Sequence, residues 1–227
     1  MSARVALIVG AGGVLGSALC TEFLAAGYEV VGLRRAVPDK PAAGARVVAC
    51  SLGDPLATSI AVQDLVKQHG HLDVVICNAA HLTMAPFAEL SLQDFETSWR
   101  VCVGSALATA AAVLPSMSAR GRGAFLISGA TASTRGTARF SAVAAAKFAL
   151  RGLAQSLARE YQPDGVHVAH VILDGLLRGS KSVARFGARD EDAMDPGAVA
   201  AIFRQLAEQG ASTFTHEIDL RPHTGRF

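Results

Sequence analysis

The stretch Val5-Ala6-Leu7-Ile8-Val9-Gly10-Ala11-Gly12-Gly13-Val14-Leu15-Gly16 decides the fold. Five apolar residues in a row, three of them β-branched, suit a strand buried on both faces. The glycines that follow open onto an apolar-periodic run predicted to be helical from Leu15 to Ala26. A strand, a glycine-rich turn and a helix in that order form a dinucleotide-binding unit. Glycine there permits positive φ, close backbone approach to a pyrophosphate and close helix–strand packing. The free N–H groups and partial positive charge of the helix N-terminus then face the phosphates. The glycines also interrupt what would have to be the apolar helix of a secretory signal, so no export signal is read.

Outward from this unit, short β-branched runs alternate with longer helical patterns, the signature of βαβ units. Further strands are predicted at Glu29–Leu33, Arg46–Cys50, Val74–Cys77, Ala124–Ser128, His167–Ile172 and Thr213–Leu220. Helices are predicted at Leu56–His69, Leu92–Ala119, Phe140–Gln162 and Gly197–Gln209, the fourth helix of the chain ending at the turn signal Pro163-Asp164-Gly165. The expected fold is α/β: a Rossmann-type doubly wound parallel seven-stranded sheet in a three-layer αβα sandwich, one domain over residues 1–227. Asp174 to Asp195 is the long stretch without periodicity, and a loop of that length is commonly functional or mobile.

Composition narrows the partners. Of 227 residues, 51% are hydrophobic and 18% charged, and the net charge is +2. That is a packed globule with no electrostatic bias towards nucleic acid or an anionic membrane. The apolar run Val101 to Leu114 stops at Pro115 and is too short to span a bilayer. Cys20, Cys50, Cys77 and Cys102 are too far apart for a CxxC metal or redox pair and read as buried core residues of a cytoplasmic protein. No metal is expected. The expected partners are a small-molecule substrate and further copies of the chain.

The second strand ends at Leu33-Arg34-Arg35. An acidic residue at that place bonds the ribose 2′-hydroxyl of NAD, whereas arginine accommodates the 2′-phosphate of NADP. Two arginines and no acid favour NADP(H) over NAD(H). They also argue against a methyltransferase, which shares the glycine turn but whose adenosyl group carries no 2′-phosphate.

From here the chain resembles the short-chain dehydrogenase/reductase superfamily over nearly its whole length. Gly10 to Gly16 is similar to that family's TGxxxGxG turn, with Val9 for the threonine and Val14 for the middle glycine. Cys77-Asn78-Ala79-Ala80 is similar to its NNAG segment, and Val143-Ala144-Ala145-Ala146-Lys147 stands in the place of YxxxK. The resemblance implies cofactor contacts at Gly10, Gly12, Gly13, Leu15, Gly16, Arg34, Arg35, Leu52, Asn78, Ala79 and Lys147. It also implies a departure from the family's catalytic set. Val143 stands for the proton-donating tyrosine and Cys102 for the helical asparagine. The serine would fall near Ala130, or at Ser128 or Thr131 if the register shifts, and Asp174-Gly175 replaces Pro-Gly. Gly129-Ala130-Thr131-Ala132-Ser133, the Ala144–Leu150 core and Asp219-Leu220-Arg221-Pro222 resemble a divergent branch without the tyrosine.

General acid–base catalysis contributes roughly 10²–10⁴ in rate, so valine at 143 leaves two readings open. One is an oxidoreductase with Lys147, Ser128 and Thr131 as catalytic residues, Ser133 and His81 being further donor candidates. The other is a silent NADP(H)-binding sensor or scaffold. The resemblance further implies a substrate segment at 174–195, carrying Arg178, Lys181, Arg185 and Arg189. It also implies a homodimer or homotetramer paired through the two long alanine-rich helices, although alanines buried within the monomer would look the same.

Overall fold

The computed structural model describes residues 3–37 and 44–224. Its seven strands are β1 Val5–Val9, β2 Glu29–Arg34, β3 Arg46–Ala49, β4 Val74–Cys77, β5 Gly123–Ser128, β6 Val166–Leu173 and β7 Glu217–Leu220. They form one parallel sheet in the order β3-β2-β1-β4-β5-β6-β7, the doubly wound arrangement expected. The order reverses between β1 and β4, so a crevice opens above their C-terminal ends, the place where such sheets bind ligands.

Helices α1 Gly13–Ala25, α2 Pro55–His69, α3 Leu92–Trp99, α4 Ser105–Ala119, α5 Ser141–Tyr161, α6 Lys181–Arg185 and α7 Pro196–Ala207 follow the chain order. Two apolar cores lie on opposite faces of the sheet. One is built with Val62 and Leu65 of α2, Ala110 and Leu114 of α4, and Leu150 and Ala154 of α5. The other is built with Leu19 and Phe23 of α1 and Phe203 of α7. Helix starts are set by local chemistry. Asp54 accepts hydrogen bonds from the amides of Leu56 and Ala57 with Pro55 in the first turn, and Asp195 does the same for Gly197 and Ala198 behind Pro196.

Three sequence expectations are revised. The helix expected to run unbroken over 92–119 carries a π-helical turn at Arg100–Gly104. There Gly104 passes so close to the start of α2 that a Cβ would lie 2.8 Å from Pro55 Cγ. By length and composition the whole 28-residue run is apolar enough to cross a membrane, more than its Val101–Leu114 portion suggested. Its apolar side is occupied: Ala106, Ala110, Val113, Leu114 and Met117 are buried in the core.

The last strand is shorter than expected because the segment before it is held by side chains. His167 stacks on Phe214 at 4.4 Å, and its Nε2 lies 2.8 Å from the Thr215 carbonyl oxygen. The stretch from 174 to 195 is also more ordered than its composition suggests. It folds back through a Leu177–Met194 bridge, includes α6, and sets Phe186 6.0 Å from Phe140.

Candidate cofactor and active site

The turn after β1 is shaped by close backbone contacts. Gly10 has φ +93°, and a Cβ on it would fall 2.6 Å from the Ala79 amide nitrogen. A Cβ on Gly16 would fall 2.5 Å from the Ala11 carbonyl carbon, so α1 packs onto its own turn. Gly13, with φ +68°, begins the helix. Asn78 secures the turn from the neighbouring strand: its Nδ2 donates to the Gly10 carbonyl at 2.9 Å. Asn78 therefore fixes the turn's position as well as bordering the crevice.

Above the turn lies a cavity of about 710 Å³ lined by Gly10, Gly12, Gly13, Arg34, Arg35, Leu52, Asn78 and Ala79, with His81 and Val101 on the far side. Eight of the expected cofactor residues thus share one wall. Leu15 and Gly16 are buried beneath it, where their backbone shapes the helix start. The Arg34 guanidinium passes over Gly12, its carbon 3.8 Å from where a Cβ on that residue would be. Neither Arg34 nor Arg35 makes a side-chain hydrogen bond or ion pair among the described residues.

Towards β5 and α5 the remaining expected residues meet. Lys147 is buried, and its Nζ donates to the Ser128 carbonyl oxygen at 2.7 Å. Burial holds its pKa below the ordinary lysine value, while the nearby Cys102 and Cys77 thiols act the other way. One donor of the ammonium is used and two are spare. Burial also pushes the Cys77 thiol up to about 12, so it is no nucleophile at neutral pH. All four cysteines are buried, and among the described residues no three metal-binding side chains cluster.

The hydroxyls expected to replace the tyrosine have different fates. Thr131 Oγ1 donates to Asp174 Oδ1 at 2.5 Å, and Arg135 and Arg221 ion-pair with the same carboxylate. Ser133 accepts from the Ala130 amide at 3.1 Å, and Ser128 Oγ is buried with no partner among the described residues. Val143, 7% exposed, lines this region with methyl groups only.

The sequence profile of short chain dehydrogenases matches residues 4–180. The chain belongs to the short-chain dehydrogenase family. Among its relatives, an L-xylulose reductase of Mesocricetus auratus is 30% identical over 74% of this chain and 70% of its own length. A D-threitol dehydrogenase of Mycolicibacterium smegmatis is 28% identical over 74% of the chain and 68% of that protein. An uncharacterized oxidoreductase of Schizosaccharomyces pombe is 28% identical, the match spanning only 64% of its length. A short-chain dehydrogenase structure from Rhodopseudomonas palustris superimposes with a TM-score of 0.81 at 30% identity, covering 97% of this chain and 99% of that one. A metagenomic short-chain oxidoreductase crystallised in complex with NADP has a TM-score of 0.82 at 24% identity, with 97% of each chain covered.

In this short-chain dehydrogenase one group near the site escaped the sequence reading. Arg151 of α5 holds Glu217 of β7 through two hydrogen bonds of 2.6 and 2.7 Å, and His170 Nδ1 lies 2.9 Å from the same carboxylate. The available signals were a polar residue inside a strand apolar on both faces and an arginine four residues after Lys147 on one helix face. Burial would raise the Glu217 pKa, but the bonds from Arg151 and His170 outweigh it and hold the pKa below the ordinary carboxylate value. A depressed carboxylate pKa stabilises the fold above the unfolded value, and that contribution disappears as the pH falls through the folded one. Glu217→Gln is expected to cost about 1–3 kcal/mol at neutral pH, after allowing for partial exposure. Thermal melts should show a loss of several degrees at pH 7 that narrows as the solution is acidified below about pH 4. An unchanged melting temperature would mean the cluster contributes nothing to stability.

Proposed function

We propose that the chain is an NADP(H)-dependent oxidoreductase acting on a small-molecule substrate, with NAD(H) the poorer cofactor. The observation that carries this reading is the pair of guanidinium groups, Arg34 and Arg35, without hydrogen-bond or ion-pair partners among the described residues, beside the glycine turn at the edge of the 710 Å³ cavity. A 2′-phosphate would meet two positive charges there, and the pyrophosphate would meet the N-terminus of α1. The two spare donors of Lys147 fit the hydroxyls of the nicotinamide ribose. When bound, the cofactor supplies the hydride; the chain's residues bind it, orient it and handle the proton. The NADP complex of the metagenomic relative supports the same cofactor.

Residues 1–227 act in this reading as one dinucleotide-binding domain, with 174–195 as the substrate segment. Arg178 and Arg189 of that segment are paired with Asp195 and with Glu191 and Asp192, which leaves Lys181 and Arg185 as the basic groups that could meet a substrate. Pairing of copies through α4 and α5 is supported by Leu107 and Phe148, 54% and 45% exposed. Ala106, Ala110, Ala144 and Ala146 pack within the monomer instead.

A second reading, a silent NADP(H)-binding sensor or scaffold, draws on Val143 and on the commitment of the Thr131 hydroxyl to Asp174. Titration with NADPH and with NADH, followed by fluorescence and calorimetry, tests the common part. NADPH is expected to bind at least about tenfold tighter, a difference of about 1.4 kcal/mol. Binding of neither would sink both readings. A panel of ketones, enones and imines then separates them: NADPH consumption supports the enzyme, and binding without turnover the sensor.

A further inference from the structure

The cavity above the glycine turn carries three basic side chains and, among the described residues, no carboxylate. Two of the three are Arg34 and Arg35, at the end of β2. The third is His81, which lines the cavity from the segment after β4. It is half-buried and makes no hydrogen bond or ion pair among the described residues.

The residues just before His81 tie it to the glycine turn. The Asn78 amide donates to the Val9 carbonyl at 2.8 Å, and Asn78 Nδ2 donates to the Gly10 carbonyl at 2.9 Å. Gly10 and Ala79 approach so closely that a Cβ on the glycine would fall 2.6 Å from the Ala79 amide nitrogen. The turn and the start of the His81 segment are therefore one rigid piece. Whatever lies on the turn lies beside the segment that carries His81.

We propose that His81 is a cofactor-binding residue whose imidazolium meets the cofactor pyrophosphate, so that cofactor binding is coupled to uptake of a proton. This rests on the NADP(H) reading above and adds a pH dependence to that site. Arg34 and Arg35 remain the partners of the 2′-phosphate.

The charges facing His81 give the direction. Hydrogen bonds from Ser91 hold the Asp94 carboxyl on α3 below the ordinary carboxylate value, and His81 acts in the same direction. By reciprocity Asp94 favours the imidazolium. Arg34 and Arg35 oppose it across the cavity, and so does Arg139, whose carbonyl accepts from the Ala85 amide of the same segment at 3.1 Å. Bound cofactor reverses the balance, because its phosphates supply the counter-charge that the cavity wall lacks. One phosphate within about 5 Å of a half-exposed imidazole raises its pKa by about one unit, a factor of about ten in affinity between its two forms. Histidine changes charge near neutral pH, so the cofactor is held more tightly as the pH falls through that range.

Calorimetric titration of the full chain with NADPH and with NADH tests this at about pH 5.5, 7 and 8.5. Two buffers of different ionisation enthalpy at each pH read the proton uptake. The 2′-phosphate titrates in the same range, so wild type and His81→Gln are compared with the same cofactor and its contribution cancels. His81→Gln is expected to bind either cofactor about tenfold more weakly at pH 5.5 and within about twofold of wild type at pH 8.5. Its proton uptake at pH 7 should be smaller. No loss, a loss that is the same at every pH, or a loss with NADPH alone overturns the proposal and leaves the oxidoreductase reading intact. Imidazole NMR of the wild type needs no folded variant. One of the seven histidines should rise by about one pKa unit when NADH saturates the site, and the proposal fails if none moves. Failure of both cofactors to bind the wild type at any pH removes the oxidoreductase reading as well, and shows in the first titration.

Discussion

Gly10→Ala is expected to abolish NADPH binding and to leave a markedly less stable protein. Alanine at φ +93° carries a left-handed penalty of roughly 1–2 kcal/mol. Its methyl group must also enter a space where the Ala79 amide nitrogen stands 2.6 Å away. That neighbour is backbone and cannot rotate aside, so β4 or the turn has to move, at about 1–3 kcal/mol more. Together these costs correspond to a fall of about 5–15 °C in melting temperature. Movement of the turn also misdirects the amides that face the pyrophosphate, so the affinity loss should exceed about 100-fold. Melting and NADPH titration of the variant decide it. A variant that binds normally would place the phosphates away from this turn.

Replacing Arg34 and Arg35 together by alanine should separate the two cofactors. Each guanidinium on a phosphate forms charge-assisted hydrogen bonds at about 1.5–2 kcal/mol after solvent screening. The pair therefore accounts for about 10²–10³-fold in NADPH affinity. NADH lacks the 2′-phosphate and should change by less than about threefold, since neither side chain has a hydrogen bond or ion pair among the described residues. Raising the salt concentration should weaken NADPH binding to the wild type and hardly affect the double variant. Equal losses for both cofactors would mean that the arginines hold the adenosine or the pyrophosphate instead.

Much of the architecture was legible because each strand of a sheet covered on both faces is an uninterrupted apolar run, and because the glycine turn follows the first of them. Arg34 and Arg35 were legible for a related reason: a strand end at a known register says where its next side chains go. The π-helical turn was not, since nothing in Arg100–Gly104 distinguishes it from an ordinary helical turn, and only Gly104 against Pro55 marks its environment. The commitment of Thr131 to Asp174 and the assembly of Arg151, Glu217 and His170 were also hidden. They join residues 43 to 66 positions apart in the chain, and periodicity carries no information about side chains meeting across such distances.

The π-helical turn also sets a reading frame for the longest helical run. Ser98, Cys102, Ala106 and Ala110 are all buried and recur every four residues. A regular α-helix, at 3.6 residues per turn, would let such a row drift round its axis by about 40° at each step. The widened turn takes up one extra residue, about 100° of rotation, and so keeps Ser98 in register with the alanines of α4. Position by position, the stretch from Arg100 to Gly104 can therefore accept exchange of one side chain for another more readily than an added residue. Removing one residue there would close the turn to ordinary α geometry and leave the row in register, whereas adding one would rotate α3 by about 100° against α4. The buried face of α3 would then turn to solvent, a frameshift in space with no frameshift in the gene.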